Sequence, residues 1–363
     1  MVPRAAKHLL IGSTEAYSGK SATILGLAQP LLKQGVNLAY GKPLSQVVPE
    51  PSDGVDPDVQ LMAQTLGLSP KDLHPTLLWL NSDRIHDRIQ GTDRTHYGQQ
   101  LAHSCEQFAG DLLLLEGPAS LDEGHLFGLS LQQVADIVDA QVVLVARYHA
   151  LSVVDTLLCA KQRLGDRLLG VVINDVPADQ RQWCEQPLRD LLEAQGIRVL
   201  GLLPRSTLLR SVSVAELVRQ LNAEVLCCGD RLTLMVEQLA IGAMNVNSAL
   251  KYFRKAQHMA VITGGDRTDI QLAALESSTH CLILTGHFSP NSIVLNRAED
   301  LEVPVLLVDL DTLTTVEIVD QAFGQAYLHE PVKVEHVQQI MAQYFDLDRL
   351  LVALGLDIGV AVR

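Results

Sequence analysis

Residues 8–28, HLLIGSTEAYSGKSATILGLA, decide the fold of the first half of the chain. An apolar run at 9–11 is followed by small polar residues, by Gly19-Lys20-Ser21, and then by a helical pattern. This order predicts a strand, a phosphate-binding loop and a helix. At such a loop the first amide groups of the helix and the helix dipole both favour a bound anion.

The spacing of this loop is a variant of the usual pattern Gly-x4-Gly-Lys-Ser/Thr. The residue five positions before Gly19 is Thr14, and Gly12 lies two positions earlier. A glycine turn with a chance Lys-Ser pair is the alternative, but the flanking strand and helix favour a nucleotide site. We expect Lys20 to contact the β- and γ-phosphates and the Ser21 hydroxyl to bind Mg²⁺. The predicted nucleotide-binding residues of the loop are Thr14, Glu15, Ala16, Tyr17, Ser18, Gly19, Lys20, Ser21 and Ala22.

The whole chain has the composition of a packed globular protein. Its 363 residues are 47% hydrophobic and 19% charged, enough for two or three domains. The net charge is −14 without a basic cluster, so we expect no nucleic-acid partner. Six scattered cysteines are typical of reduced thiols in the cytoplasm. The first ten residues run into the first strand, which predicts no signal peptide, and no apolar run reaches the roughly 20 residues of a membrane span.

A second predicted strand, 36–40, leads into Gly41-Lys42-Pro43. In open α/β sheets ligands bind at the carboxyl ends of the strands, so Lys42 is a candidate second catalytic cation beside Lys20. A solvated loop lysine is the alternative. Residues 46–57 form a predicted Pro/Asp/Gly loop, and Asp58 opens a helix. Its carboxylate can cap that helix or supply an oxygen to Mg²⁺.

Two further strand ends carry candidate site residues. The apolar run 112–115 ends in Glu116, where P-loop enzymes place a carboxylate near the metal. The run 168–173 ends in Asn174, whose amide can pair with an adenine edge or simply form a turn. Strands alternate with helices over about 200 residues, which predicts an α/β fold with a parallel sheet and helices on both faces.

These residues carry a resemblance to a known family. Residues 8–206 resemble the dethiobiotin-synthetase-like P-loop domain, which also stands at the N-terminus of long bacterial phosphotransacetylases. The resemblance implies an ATP site with Lys20 on phosphate, and Mg²⁺ among Ser21, Asp58 and Glu116. It also implies that Lys42 lies near phosphate or substrate, Asn174 near adenine, and that the chain forms a dimer through this domain. The matching segments, in the family's order, are GSTEAYSGKS (12–21), GKPLS (41–45), DVQL (58–61), LLLLEG (112–117), VVIND (171–175) and LGLLP (200–204).

The second half repeats the alternation of strands and helices on a smaller scale. Predicted strands cover 224–229, 259–263, 281–286 and 303–309, and predicted helices cover 232–244, 270–276, 290–299 and a stretch from 312. The turn TGGDRTD (263–269) can bind an anion through its amide groups, or Asp266 can cap the helix that follows. Residues 335–356 form an amphipathic helix that can pack on the sheet or on a partner.

This half is similar to the DRTGG domain, a regulatory module found after the synthetase-like domain in long phosphotransacetylases. The matches are GGDRTD (264–269) and LILTG (282–286). The resemblance implies regulation, through a small phosphate-bearing ligand, without chemistry of its own. We therefore predict a P-loop domain at 1–211, a DRTGG domain at 212–332 and a helical segment at 333–363.

These features lead to three functional hypotheses, the third of which is an assembly scaffold whose phosphate loop is only structural. The first is a cytoplasmic, Mg-ATP-dependent regulatory or adaptor protein with a protein partner and weak or no ATP hydrolysis. The alternative is an ATP-dependent ligase of the dethiobiotin synthetase type, acting on an unidentified small carboxylate or amine. The longer phosphate loop predicts that the chain is not itself a dethiobiotin synthetase. In long phosphotransacetylases the acetyl-transferring domain comes after these two modules. No segment up to residue 363 resembles that domain, so we also expect no phosphotransacetylase activity.

Overall fold

The computed structural model describes residues 8–46, 55–106, 108, 110–324, 328 and 330–356. The chain forms two compact units, one of residues 1–205 with 331–363 and one of residues 206–330. Much of the predicted loop 46–57, and both chain termini, lie outside the described residues. The three-part division at 211 and 332 stays a prediction.

The first unit is built on a parallel sheet, which confirms the predicted fold class. Seven strands of the described residues form this sheet in the order β4-β2-β6-β1-β7-β8-β9, and β3 and β5 pair separately. The strands are β1 (His8–Ser13), β2 (Leu38–Gly41), β3 (Leu44–Ser45), β4 (Leu73–His74), β5 (Leu78–Trp79), β6 (Leu112–Glu116), β7 (Gln141–Arg147), β8 (Leu168–Val176) and β9 (Val199–Pro204).

Helices cover both faces of this sheet. Leu10 packs in one hydrophobic cluster with Leu113, whereas Leu9 and Ile11 point to the opposite face and are also fully buried. Continuous apolar strands of this kind are expected when both faces of a parallel sheet are covered. The helices before the second unit are α1 (Lys20–Lys33), α2 (Pro57–Leu66), α3 (Ser82–Gln90), α4 (Tyr97–Glu106), α5 (Leu131–Ile137), α6 (Val153–Leu164), α7 (Arg181–Trp183) and α8 (Arg189–Ala194).

The register of the central strands aligns the ends that carry polar residues. Ile11 of β1 lies beside Glu116 of β6, and Gly41 of β2 lies beside Leu115. Gly12 lies against Leu131, so closely that an added Cβ would approach the leucine methyl groups to 2.5 Å. The carboxyl ends of β1, β2 and β6 therefore meet at one edge of the sheet.

The second unit has its own mixed sheet. Five strands of the described residues follow the order β11-β16-β15-β14-β13, with β11 antiparallel and the others parallel. Its strands are β10 (Val212–Ser213), β11 (Glu224–Cys227), β12 (Met235–Val236), β13 (Gln238–Ile241), β14 (Met259–Gly264), β15 (Thr279–Thr285) and β16 (Val305–Leu307). Its helices are α9 (Thr207–Arg210), α10 (Val214–Leu221), α11 (Val246–Phe253), α12 (Thr268–Leu275), α13 (Ser292–Asp300) and α14 (Thr312–Gly324).

The helix predicted over 232–244 is wrong. This segment contains β12 and β13, and β13 pairs in parallel with β14 from Gln238 beside Met259 to Ile241 beside Ile262. The apolar spacing fits a helix as well as a strand, and pairing with a distant strand decides between the two. Helix α11 was not among the predicted helices.

The amphipathic segment at the end of the chain consists of two helices that belong to the first unit. These are α15 (Pro331–Tyr344) and α16 (Leu347–Leu354). Helix α15 packs on α1, where an added Cβ on Gly26 would lie 2.2 Å from Met341 Cγ. Arg349 of α16 binds both carboxylate oxygens of Glu193, at 2.6 and 2.7 Å. The first unit is thus completed by residues that follow the second unit in the chain.

Candidate phosphate-binding site

The loop between β1 and α1 has the backbone geometry of a turn that leads directly into a helix. The Thr14 amide donates to the Val145 carbonyl at 3.2 Å, which continues the pairing of β1 with β7 by one hydrogen bond. Tyr17 and Gly19 adopt positive φ angles of 54° and 102°. Helix α1 starts at Lys20 without a side-chain cap. The amide groups of its first turn therefore have neither an intrahelical nor a side-chain acceptor.

Two side chains from neighbouring strands hold this loop. Asn174, in β8, donates from Nδ2 to the Ser18 carbonyl at 2.8 Å and accepts from the Asp175 amide at 2.8 Å. Arg147, at the end of β7, donates to the Tyr17 carbonyl at 2.6 Å. An added Cβ on Gly19 would lie 2.4 Å from Asn174 Nδ2. Glycine is therefore required here for both conformation and space.

Ser21 and Glu116 form the centre of the site. The Ser21 hydroxyl donates to Glu116 Oε1 at 2.9 Å, and the Tyr40 hydroxyl donates to Oε2 at 2.8 Å. Tyr40 is fully buried, and Glu116 is 3% exposed. Each oxygen of this buried carboxylate thus has a hydroxyl donor, as a buried acceptor requires.

Lys20 lies close to the same carboxylate. Its ammonium group donates to Ser13 Oγ at 3.0 Å, and Ser13 donates to the Ala119 carbonyl at 2.8 Å. Burial lowers the pKa of Lys20, although the charges of Glu116 and Glu123 oppose that shift. A partly buried ammonium group at the start of a helix is well placed to bind the phosphate of a polyanionic ligand.

Lys42 forms an ion-pair cluster with two carboxylates. Its Nζ lies 2.6 Å from Asp58 Oδ2 and 3.1 Å from Asp56 Oδ2. Asp56 is also the N-cap of α2, accepting from the Asp58 amide at 2.7 Å and from the Val59 amide. The helix cap suggested for Asp58 is therefore Asp56. Asp58 instead uses its carboxylate to bind Lys42.

Burial and mutual charge shift the pKa values of this cluster. Burial lowers the pKa of Lys42, but Glu116, Asp58 and Asp56 together outweigh it and hold that pKa above its ordinary value. Burial raises the pKa of Glu116, against the lowering effect of Lys42. Burial and Glu116 also raise the pKa of Tyr40, so its hydroxyl stays a donor.

The structure brings together most of the residues that the sequence singled out. Lys20, Ser21 and Glu116 are adjacent, and Lys42 binds Asp58 beside them. Glu15 points elsewhere and binds His149 at 2.8 Å. Ala16 lies in the loop and Ala22 in the first turn of α1, where only their amide groups can contact a ligand.

Tyr40, Asp56 and Arg147 also shape the site, although the sequence pattern singles out none of them. A tyrosine in a fully buried strand signals a hidden hydrogen-bond partner, because its hydroxyl needs an acceptor. An arginine that ends the apolar strand β7 is a similar signal. Asp56 gives no signal apart from its place before Pro57, a common first helical residue.

The candidate magnesium ligands are all oxygen atoms, the donor type that Mg²⁺ prefers. Within the described ranges, no three His, Cys, Asp or Glu side chains converge as a metal-binding group. Ser21 and Glu116 offer two oxygen atoms. Mg²⁺ is commonly held by so few protein ligands, with water and phosphate oxygens as its other ligands.

Among the described residues, no helix combines the length and hydropathy of a membrane span.

The turn 263–269 of the second unit contradicts one of the two alternatives that the sequence left open. Helix α12 follows Arg267 and has no side-chain cap, so the expected cap by Asp266 is wrong. The Gly265 amide donates to the Thr285 carbonyl and the Arg267 amide to the Gly264 carbonyl, at 3.0 and 3.1 Å. These two amide groups are thus used within the protein. Anion binding at this turn stays a prediction.

Comparison with known proteins assigns both parts of the chain. An AAA domain family matches residues 7–213, and the DRTGG domain family matches residues 216–322. The phosphate acetyltransferase of Synechocystis sp. is 26% identical, over 94% of this chain and 51% of the relative. That of Escherichia coli is 22% identical, over 94% and 52%. The chain spans about half the length of the curated relatives it matches.

Solved structures of low similarity were also found. Cobyrinic acid a,c-diamide synthase from Mycobacterium smegmatis, with bound ADP and magnesium, is 16% identical over 55% of this chain and 87% of that chain, with a TM-score of 0.35. The CBS and DRTGG domains of the Clostridium perfringens pyrophosphatase, complexed with diadenosine tetraphosphate, are 20% identical over 47% and 84%, with a TM-score of 0.29. The AAA domain match spans more than half of the chain, which therefore belongs to that family and carries a DRTGG domain after its P-loop NTPase-like domain.

Proposed function

We propose that the protein binds Mg-ATP at the loop between β1 and α1 and acts as a nucleotide-dependent regulatory or adaptor protein. The observation that carries this proposal is the convergence of Lys20, Ser21 and Glu116 at an uncapped helix start. This combination supplies amide donors and a cation for phosphate, and oxygen donors for Mg²⁺. The DRTGG domain supplies the regulatory part of the proposal.

Each predicted site residue has a role in this proposal. The loop amides and Lys20 would bind the phosphates, while Ser21, Glu116 and Asp58 would hold Mg²⁺, which neutralises phosphate charge when bound. Asn174 already uses one amide hydrogen and one acceptor position within the protein. One hydrogen and one lone pair remain for an adenine edge.

The cluster around Lys42 favours a regulator over an enzyme. Asp56 and Asp58 neutralise this lysine, so in this arrangement its charge is not presented to a second substrate. If Asp58 turned to Mg²⁺, Lys42 would lose its shorter ion pair. The start of α2 would then respond to the nucleotide, which is the property that a nucleotide-dependent adaptor needs.

The position of Lys42 also supports a second candidate, an ATP-dependent ligase for a small carboxylate or amine. The lysine directly follows the end of β2, next to the strand that carries Glu116. Once released from Asp58, it could stabilise charge on a transferred phosphoryl group.

For either function we propose that the protein forms a homodimer through the P-loop unit and lies in the cytoplasm. For the regulator we also propose a protein partner.

Calorimetric titration with Mg-ATP and a non-hydrolysable analogue, together with a phosphate-release assay, tests the proposal. We expect both nucleotides to bind, with slow phosphate release. Lys20→Ala should abolish binding, because it removes the cation that would contact the phosphates. Lys33→Ala, which changes an exposed lysine at the other end of α1, is the matched control and should bind normally.

The outcomes separate the candidates. Undiminished affinity in Lys20→Ala would refute the site, and failure of the wild-type protein to bind would refute the function. Phosphate release that rises steeply with one added metabolite, and is lost in Lys42→Ala, would favour the ligase. Slow release with a partner retained only in the presence of nucleotide would favour the regulator.

A further inference from the structure

Glu123 is a partly exposed acidic residue in the loop that follows β6, the strand that ends in Glu116. Its Oε2 atom accepts from the Ala119 amide, and its Oε1 atom accepts from the Gln46 side chain. Its own amide donates to Ser120 Oγ at 3.2 Å. Both carboxylate oxygens of Glu123 are therefore bound to groups of the protein itself.

Ala119 connects Glu123 to the lysine of the phosphate site. Lys20 donates to Ser13 Oγ at 3.0 Å, and Ser13 donates to the Ala119 carbonyl at 2.8 Å. Ala119 thus has its carbonyl in the hydrogen-bond chain of Lys20 and its amide on the carboxylate of Glu123. Burial lowers the pKa of Lys20, and the charges of Glu116 and then Glu123 oppose that shift most strongly. The negative charge of Glu123 therefore acts on the cation that is expected to bind phosphate.

The order of the strands indicates which end of a bound nucleotide lies near Glu123. Strands β6, β1, β7 and β8 are successive neighbours in the sheet. The phosphate loop follows β1, and Asn174, the proposed adenine contact, lies in β8. A nucleotide with its base at β8 and its first phosphates at the loop after β1 would extend its last phosphate toward the loop after β6.

The Ala119 amide is a group that this last phosphate could use. Backbone amides and a cation at the start of a helix together form a typical anion site. A carboxylate and a phosphate are both charged acceptors, so they compete for the same amide. Two negative charges also repel each other at close range. A terminal phosphate at Lys20 must therefore displace Glu123 or pay a cost in affinity for lying beside it.

We propose that Glu123 sets the preference of the site between nucleoside triphosphates and diphosphates, by holding the amide that the terminal phosphate would otherwise bind. This inference rests on the proposed Mg-ATP site. A diphosphate leaves the bonds of Glu123 with Ala119 and Gln46 in place, whereas a triphosphate breaks both. Gln46 directly follows β3, so the third phosphate would change the contacts of two loops. A nucleotide-dependent regulator needs such a difference between its two nucleotide states.

Calorimetric titration of the full-length protein with Mg-ADP and with a non-hydrolysable Mg-ATP analogue tests the inference. Glu123→Gln keeps the size of the side chain and an acceptor for the Ala119 amide but removes the charge. Affinity for the triphosphate analogue should rise roughly 3- to 10-fold, and affinity for ADP should change less than about twofold. The matched control is Asp122→Asn, which neutralises the neighbouring carboxylate, paired with Arg163 at 2.7 Å, and should leave the ratio of the two affinities unchanged.

Gln46→Ala provides a second test, because it removes one partner of Glu123 at an exposed position. Displacement of Glu123 becomes easier, so the ratio should again shift toward the triphosphate, by roughly twofold. A residue that only maintains the loop would instead weaken both nucleotides alike when it is changed.

The outcomes distinguish this inference from the proposed function. If wild-type protein binds both nucleotides and Glu123→Gln changes their affinities equally, or weakens only the triphosphate, the inference is overturned. An equal shift of the ratio in Asp122→Asn would also overturn it, because the effect would then belong to the net charge of the loop. Failure of the wild-type protein to bind either nucleotide would refute the proposed function, and this inference with it.

Discussion

Replacing Tyr40 by Phe removes only the hydroxyl that donates to Glu116 Oε2 at 2.8 Å. Both side chains have the same apolar shape, and position 40 is fully buried, so no large cavity forms. A hydrogen bond to a charged group contributes about 1.5–3 kcal/mol, and here its loss leaves a buried oxygen without that donor. For a unit of this size the melting temperature should fall by roughly 3–12 °C.

The hydroxyl also orients Glu116 toward Ser21, so Tyr40→Phe should change metal use as well as stability. We expect the Mg²⁺ concentration for half-maximal ATP binding to rise about 10-fold or more, as for other groups that orient metal ligands. Thermal unfolding and calorimetry at several Mg²⁺ concentrations measure the two effects. Tyr97→Phe, which removes a buried hydroxyl from Asp93 at 3.2 Å, is the matched control and should affect only stability. An unchanged melting temperature and Mg²⁺ requirement in Tyr40→Phe would refute the assigned role of this hydroxyl.

Three further changes probe other parts of the first unit. Met341→Ala should lower the free energy of unfolding by about 2–5 kcal/mol in chemical denaturation, because its side chain fills the space above Gly26; a loss below about 1 kcal/mol would contradict this. The pKa of Glu116 is raised in the folded state, so above about pH 4.5 the folded protein binds more protons than the unfolded chain does. The free energy of unfolding of the wild-type protein therefore falls as pH rises from about 4.5 through the folded-state pKa. Glu116→Gln should lack this decline when unfolding is compared at pH 5 and pH 8, and a parallel decline would count against the assignment. Arg147→Ala removes the donor to the Tyr17 carbonyl and should weaken ATP binding roughly 2- to 10-fold in calorimetry without unfolding the protein. Unchanged affinity would show that the loop keeps its conformation without this hydrogen bond.

The parallel sheet was predictable because its strands are continuous apolar runs that end in polar residues. In a parallel sheet with both faces covered, burial alone identifies such strands, and their carboxyl ends must share an edge. The segment 232–244 shows where this reasoning fails. β13 is only four residues long, and its edge position depends on pairing with β14, so local spacing could not distinguish it from a helix.

The convergence of Lys20, Ser21 and Glu116 was predictable for the same reason, since each stands at a strand end or just after one. The partners that hold these side chains were not. Tyr40 has the sequence context of a core residue, and only the pairing of β2 with β6 shows that its hydroxyl lies beside Glu116. Asp56 takes the cap expected of Asp58, because the helix starts one residue earlier at Pro57.

The last two helices of the chain pack within the unit that contains the phosphate site. The amphipathic pattern of 335–356 shows that one face is buried but not what covers it. In the structure, α15 begins at Pro331, immediately after the second unit ends, and it packs on α1. Helix α1 carries Lys20 and Ser21 in its first turn. The buried face of α15, which the sequence pattern shows without its partner, is therefore covered by the helix that carries the phosphate-binding residues.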